Sequence, residues 1–162
     1  MAKKIDKTNA ARLLDKAKVA YGLIPYTVDE DNLAATHVAE ELGEDIATVF
    51  KTLVLRGDRA GLFVCVIPGD KEVDLKGLAK VSGNKKVEMI PMKDLLSVTG
   101  YIRGGCSPIG MKKQYRTFID EMAELVDSIC VSAGQRGVQL RLKPSDLISF
   151  TNAVVGDFAV RA

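Results

Sequence analysis

The sequence predicts an α+β fold: a single domain over residues 1–162 in which a curled, largely antiparallel and barrel-like mixed sheet is flanked by short helices. Two observations carry this expectation. Short β-branched, alternating segments interleave along the chain with short segments of helical spacing. No repeat, low-complexity tract or linker interrupts them, so one core is the economical arrangement.

Taken in order, Thr8 or Asn9 can cap a first helix that places Leu13, Leu14, Ala17 and Tyr21 near one face and ends at Gly22. An apolar segment from Ile24 to Val28 leads into the acidic turn Asp29-Glu30-Asp31-Asn32, more a solvated turn than a metal site. Thr36 is the expected cap of a second helix, and Gly43 suits its left-handed end. Val49 to Arg56, the turn at Gly57-Asp58 and Leu62 to Ile67 read as an antiparallel pair at the centre of the sheet. Asp74 to Val81 is a third helix, Lys86 to Ile90 a strand, and Met92 to Val98 a fourth helix beginning after Pro91. The segment Gly100 to Gly110, with four glycines and a proline, forbids a regular element. Strands are expected at Arg116 to Asp120, Ser128 to Ser132 and Val138 to Leu142, and Pro144 opens a closing helix through Phe150.

Composition narrows the function. Lysine plus arginine number 23 against 21 aspartates and glutamates, so the chain is not the strongly basic body that holds nucleic acid by charge alone. Any RNA contact must be local. The three cysteines, Cys65, Cys106 and Cys130, are widely separated, which suggests neither a disulfide framework nor a zinc site and fits a reducing cytoplasm. The polar residues of Met1 to Asp6 do not resemble a secretory leader, and no run approaches the roughly 18 to 20 apolar residues of a membrane span.

Among candidate chemical groups, Lys51 is the most informative. It alternates with Val49, Leu53 and Leu55 in a strand apolar on both faces, where an unpaired ammonium would be costly unless it serves a site. The alternative is a lysine at a fraying strand end, reaching water along its own methylenes. The glycines of Gly100 to Gly110 bring backbone N–H groups close together, suited either to an oxyanion or simply to a tight loop, and the segment has neither the phosphate-loop nor the dinucleotide pattern. Cys106 lies within it, but the only histidine for a base is His37, expected at the surface of the second helix beside Glu40 and Glu41. Ser132 and Arg136 flank a turn that can face a ligand or merely close a hairpin.

Three blocks, Phe50-Lys51-Thr52-Leu53-Val54, Gly104-Gly105-Cys106-Ser107-Pro108-Ile109-Gly110 and Val131-Ser132-Ala133-Gly134-Gln135-Arg136-Gly137, together resemble the signature of the YbaK family of editing deacylases. Lys85 to Met89, Thr99 to Tyr101 and Tyr26 extend the resemblance over nearly the whole chain. It implies an enzyme without metal or cofactor that takes the acceptor end of a mischarged tRNA as substrate, removes cysteine from the proline tRNA, and has prolyl-tRNA synthetase as a possible partner. The same resemblance implies roles. Lys51 would hold the terminal adenosine, and amides of Gly104 and Gly105 would face the scissile carbonyl. Tyr26, Thr52, Ser107, Pro108, Ser132, Gly134 and Arg136 would bind substrate. The chain departs from many relatives just before the second helix, where it has Ala34-Ala35-Thr36-His37 in place of a Phe-Gly-Asp-Glu stretch. With no Ser/His/Asp set to activate water, the substrate's own thiol is the implied nucleophile. Rivals are a water-using alanyl- or seryl-tRNA deacylase and a binding module that cleaves nothing.

Overall fold

The structure is a computed structural model that describes residues 6–161, so most of the polar N-terminal stretch read at Met1 to Asp6 lies outside the described residues. Helix α1 (Asn9–Lys16) is capped by Thr8, whose Oγ1 accepts the Ala11 N–H at 3.2 Å. It ends sooner than its spacing predicts. Lys18 adopts a φ of 59° and the Val19 N–H returns to the Leu14 carbonyl at 2.9 Å, which closes the helix before Tyr21. Gly22 therefore opens strand β1 (Gly22–Pro25) rather than ending a helix. Helix α2 (Ala35–Leu42) starts ahead of the expected Thr36 cap, because Asn32 Oδ1 takes the Ala34 N–H at 3.3 Å and the helix follows directly. Gly43 ends it at a φ of 67°, as anticipated.

The central pair is β2 (Phe50–Gly57) and β3 (Gly61–Pro68), antiparallel from Phe50 opposite Pro68 to Gly57 opposite Gly61. Next come β4 (Lys71–Val73), α3 (Leu75–Ser82), whose Asp74 cap accepts the Gly77 N–H at 3.1 Å, and β5 (Val87–Met89). The helix expected over Met92 to Val98 is divided into a 3₁₀ turn at Met92–Asp94 and α4 (Leu95–Thr99). After the glycine-rich loop the chain forms β6 (Thr117–Asp120), β7 (Ile129–Ser132), β8 (Val138–Leu142), α5 (Pro144–Thr151), β9 (Val154–Gly156) and β10 (Ala159–Arg161). Strands β4, β9 and β10 were not anticipated, since three residues are too few to display a period.

The strands build a five-stranded sheet in the order β5-β2-β3-β6-β9, a three-stranded sheet β1-β8-β7 and the pair β10-β4. Pairing is antiparallel except at β3-β6 and β6-β9. The barrel-like closure expected from the sequence is not formed: β5 and β9 are free edges, and the large and middle sheets meet through one bridge between Val49 and Cys130. Each face of β2-β3 nevertheless has its own core. Leu55, Phe63, Cys65 and Ile67 pack with Leu78 of α3, Phe118 and Phe158 on one side. On the other, Phe50 and Val66 meet Leu14 of α1, Leu147 of α5 and the inner face of β7-β8.

One buried carboxylate ties the C-terminal strand to this frame. Asp120, only 1% exposed, accepts the Phe158 and Ala159 N–H groups through Oδ1 and the Met122 N–H through Oδ2, at 2.9–3.0 Å. Three donors on one carboxylate satisfy backbone that would otherwise be orphaned in the core. Asp120→Ala is expected to cost about 3 kcal/mol in urea unfolding, because those donors lose a charged acceptor without gaining water.

Candidate active site

A cleft of about 420 Å³ opens between the N-terminal end of α2, the Phe50 half of β2, the segment from Met89 to Leu95, and the loop around Gly104. That volume is in the range of small-molecule sites, and most of the lining is apolar. Its position follows from a mismatch in strand length. β5 pairs with β2 only from Leu55 to Gly57, with one further bond from the Ile90 N–H to the Val54 carbonyl at 3.2 Å. Between that point and the bridge from Val49 to Cys130 of β7, no strand pairs with this edge of β2. Val54 bonds toward β5, whereas the Val49 carbonyl bonds away from it to Gly69 at 2.8 Å, so the period of two aims the Thr52 peptide groups at the open edge.

The lining includes Lys51, Thr52, Arg103, Ser132 and Gln139, but no histidine and no carboxylate. Lys51 is half-buried and, among the described residues, pairs with no carboxylate. Lys51 is the second residue of β2 and borders the cleft, a position open to both readings of this lysine. It also stands close enough to Cys65 to oppose the rise that burial imposes on that thiol. Thr52 Oγ1 and Gln139 Oε1 are buried with no hydrogen-bond partner, and both residues line this cleft. Buried polar atoms are rarely left unmatched in a folded protein, so both atoms call for a partner, a water or a ligand, at this cleft.

Gln139 was not anticipated. In Val138-Gln139-Leu140-Arg141-Leu142 the alternation reads as an ordinary strand with its polar side outward. That side is covered: Gln139 stands opposite Ser132 on β7, and Arg141 pairs with Glu44 at the end of α2. Its register opposite a serine already singled out was the one usable signal. Ser132 Oγ accepts the Gly134 N–H at 3.2 Å, which leaves the hydroxyl proton free to donate into the cleft.

The glycine loop and the turn after β7 are clasped together. Arg136 Nε donates to the Arg103 carbonyl at 2.9 Å, and a side chain on Gly105 would come within 3.1 Å of Gln135 Cα and 3.2 Å of the Arg136 nitrogen. Gly134, at a φ of 108°, lies against the Tyr101 ring. Of the expected site residues, Lys51, Thr52, Gly104 and Ser132 meet at the cleft. Gly105 lies just behind it, and its N–H is already donated to the Ile102 carbonyl at 2.9 Å, whereas Gly104 finds no acceptor among the described residues. Ser107 is fully buried and takes the Ile109 N–H at 3.2 Å. Pro108 lines a separate, smaller hollow. Tyr26 stands outside the lining, its N–H bonded to the Gly137 carbonyl at 2.9 Å, so it borders the Arg136 turn rather than the cleft wall.

Cys106 lines the cleft, but burial pushes its thiol up to about 11, the wrong direction for a nucleophile near neutral pH. His37 is outside the lining and faces Glu41 at 3.7 Å on its own helix, so the two do not form a catalytic pair. No three His, Cys, Asp or Glu side chains gather as a metal site among the described residues. No described helix is long and apolar enough to cross a membrane.

A mostly apolar cleft with two cationic side chains, Lys51 and Arg103, and no histidine or carboxylate is a small-molecule site that can orient a ligand but brings no acid–base pair to it. The sequence profile of the aminoacyl-tRNA editing domain matches residues 29–150, and the chain belongs to that family. It is 53% identical over 161 residues to a protein of Enterococcus faecalis, EbsC, which bears the provisional description Cys-tRNA(Pro)/Cys-tRNA(Cys) deacylase; the match covers 98% of this chain and 96% of that one. Two crystal structures share the fold. One, of a hypothetical protein, overlays with a TM-score of 0.84 at 21% identity over 92% of this chain and 97% of its own. The other is described provisionally as a trans-editing enzyme for prolyl tRNA synthetase and overlays with a TM-score of 0.79 at 20% identity over 93% and 92%.

Proposed function

We propose that this chain is a trans-editing deacylase that removes cysteine from mischarged Cys-tRNA(Pro), the substrate's own thiol opening the ester. The observation that carries this reading is a cleft lined by a lysine and free hydroxyl and amide groups but by no histidine or carboxylate able to activate water. Full-length similarity to EbsC supports the choice of cysteine. A second sieve is needed because a synthetase pocket separates side chains of similar bulk only weakly.

In this scheme the thiol sulfur attacks the ester carbonyl, the new C–S bond forms, and the bond to the ribose oxygen breaks. The thiol proton ends on that oxygen, so the products are free tRNA and a cyclic thiolactone that water opens later. The step uses neither metal nor cofactor. Lys51 and Arg103, both in the cleft lining, hold the terminal adenosine and its phosphate, and the Gly104 N–H donates to the developing oxyanion. Ser107, Pro108, Gly134 and Arg136 act through the shape of the two clasped loops, while Tyr26 anchors the turn from outside. We assign the protein to the cytoplasm and give it prolyl-tRNA synthetase as a working partner, the pairing named for its structural relative.

The test is deacylation of cysteinyl-, alanyl-, seryl- and prolyl-tRNA side by side. Cysteinyl-tRNA is expected to react at least tenfold faster than seryl-tRNA, its oxygen isostere; equal rates would reverse the assignment in favour of a water-using deacylase. Cys106 gives a second check. Cys106→Ala is expected to retain activity within about twofold, and the wild-type thiol to resist iodoacetamide at pH 7.5. A thiol raised by burial is almost wholly protonated there and becomes reactive only as the pH climbs toward its pKa of about 11.

A further inference from the structure

We infer that Gln139 binds the free α-amino group of the aminoacyl ester, which makes it a substrate-positioning residue of this cleft. The assignment rests on the editing function proposed above. Gln139 is 5% exposed, lines the cleft from β8, and its Oε1 has no hydrogen-bond partner. An unpaired acceptor in such surroundings is costly to fold around and is relieved only when a donor arrives.

The chemistry of that donor is restricted. The ester carbonyl and the phosphate of the tRNA end offer acceptors, not donors, and they match Lys51, Arg103 and the Gly104 N–H. The neighbouring ribose hydroxyl and the adenine amine are neutral donors, whereas the α-amino group, charged when protonated, is the strong donor next to the ester. Gln139 Oε1 and Thr52 Oγ1 are the buried polar atoms left unmatched among the described residues, and both belong to this cleft. With no carboxylate in the lining, the amino group meets neutral oxygens rather than an ion pair. Neutral acceptors restrain the amine by direction without a strong Coulomb well, which keeps it oriented while the adjacent thiol swings toward the carbonyl. Ser132, opposite Gln139, brings a hydroxyl to the same wall.

The experiment compares cysteinyl-tRNA with its desamino counterpart, 3-mercaptopropionyl-tRNA, which keeps the thiol and the ester and is smaller, so steric exclusion plays no part. Wild type is expected to favour the cysteinyl ester by about 10- to 100-fold in kcat/KM, the scale of one hydrogen bond to a charged group. Gln139→Leu is expected to lose that preference by reacting more slowly with the cysteinyl ester alone, and to melt no lower than wild type because an unmatched polar group is gone. Gln139→Glu, which keeps an acceptor oxygen, is expected to preserve the preference. If Gln139→Leu slows both esters equally, or leaves the preference intact, the inference is overturned. The same pair of acyl groups in amide linkage to 3'-aminoadenosine is measured for binding by calorimetry. Failure to cleave cysteinyl-tRNA then counts against the deacylase assignment, while the two affinities still decide the role of Gln139.

Discussion

Replacing Lys51 by alanine is expected to lower kcat/KM for cysteinyl-tRNA by about 100- to 1000-fold while the melting temperature stays level or rises slightly. The loss of activity follows from the proposed contact between this half-buried ammonium and an anionic tRNA end in a mostly apolar cleft, where such charged contacts are worth about 3 to 4 kcal/mol. The stability term has the opposite sign because, among the described residues, Lys51 pairs with no carboxylate in the free protein. Its partial burial is a cost with no internal compensation. Lys51→Met, which keeps the aliphatic length, separates charge from packing and is expected to be as inactive as alanine. Loss of folding in step with loss of activity would make Lys51 a structural residue and end its role at the site.

Gly105→Ala is expected to reduce kcat/KM by about tenfold through geometry alone. The added methyl would come within 3.1 Å of Gln135 Cα and 3.2 Å of the Arg136 nitrogen, and both are backbone atoms that cannot rotate away. The two loops must give by a few tenths of an ångström, which shifts Gly104 and Arg103 relative to Ser132, a fraction of the roughly 1 Å misplacement that costs on the order of 100-fold in rate. The stability cost is that of overpacking, about 1 to 3 kcal/mol. Circular dichroism melts with parallel kinetics distinguish this from unfolding, since a folded but slow Gly105→Ala is the predicted result. Wild-type activity in that variant would show that the loops have slack.

The sequence disclosed those parts of the architecture whose cause is local. The β2-β3 pair has alternating residues on either side of a turn, α3 has an aspartate cap, and Gly43 has the freedom that a left-handed helix end requires. It failed where the cause was distant. Tyr21 sits at helical spacing from Ala17, yet the chain leaves the helix at Lys18 and uses the tyrosine hydroxyl to bind Asp15. Strand β10 pairs with the distant β4, and Asp120, 39 positions before Ala159, holds its first N–H. At the site, Lys51, Thr52, Gly104 and Ser132 were legible as motif members and do converge. Gln139 was hidden because a polar residue alternating with apolar ones looks the same whether its side faces water or a covered cleft, and only the packing of α2 against β7-β8 distinguishes them.

The short β5 strand has a further bearing on what such a fold can evolve. Its three residues set how much of the β2 edge stays open: every pair of residues added at its Met89 end would stitch another stretch of that edge and shrink the cleft from one side. The resulting domain would gain hydrogen bonds and lose its purpose. Selection on substrate size can therefore act through the length of one peripheral strand, leaving Lys51 and the two clasped loops untouched.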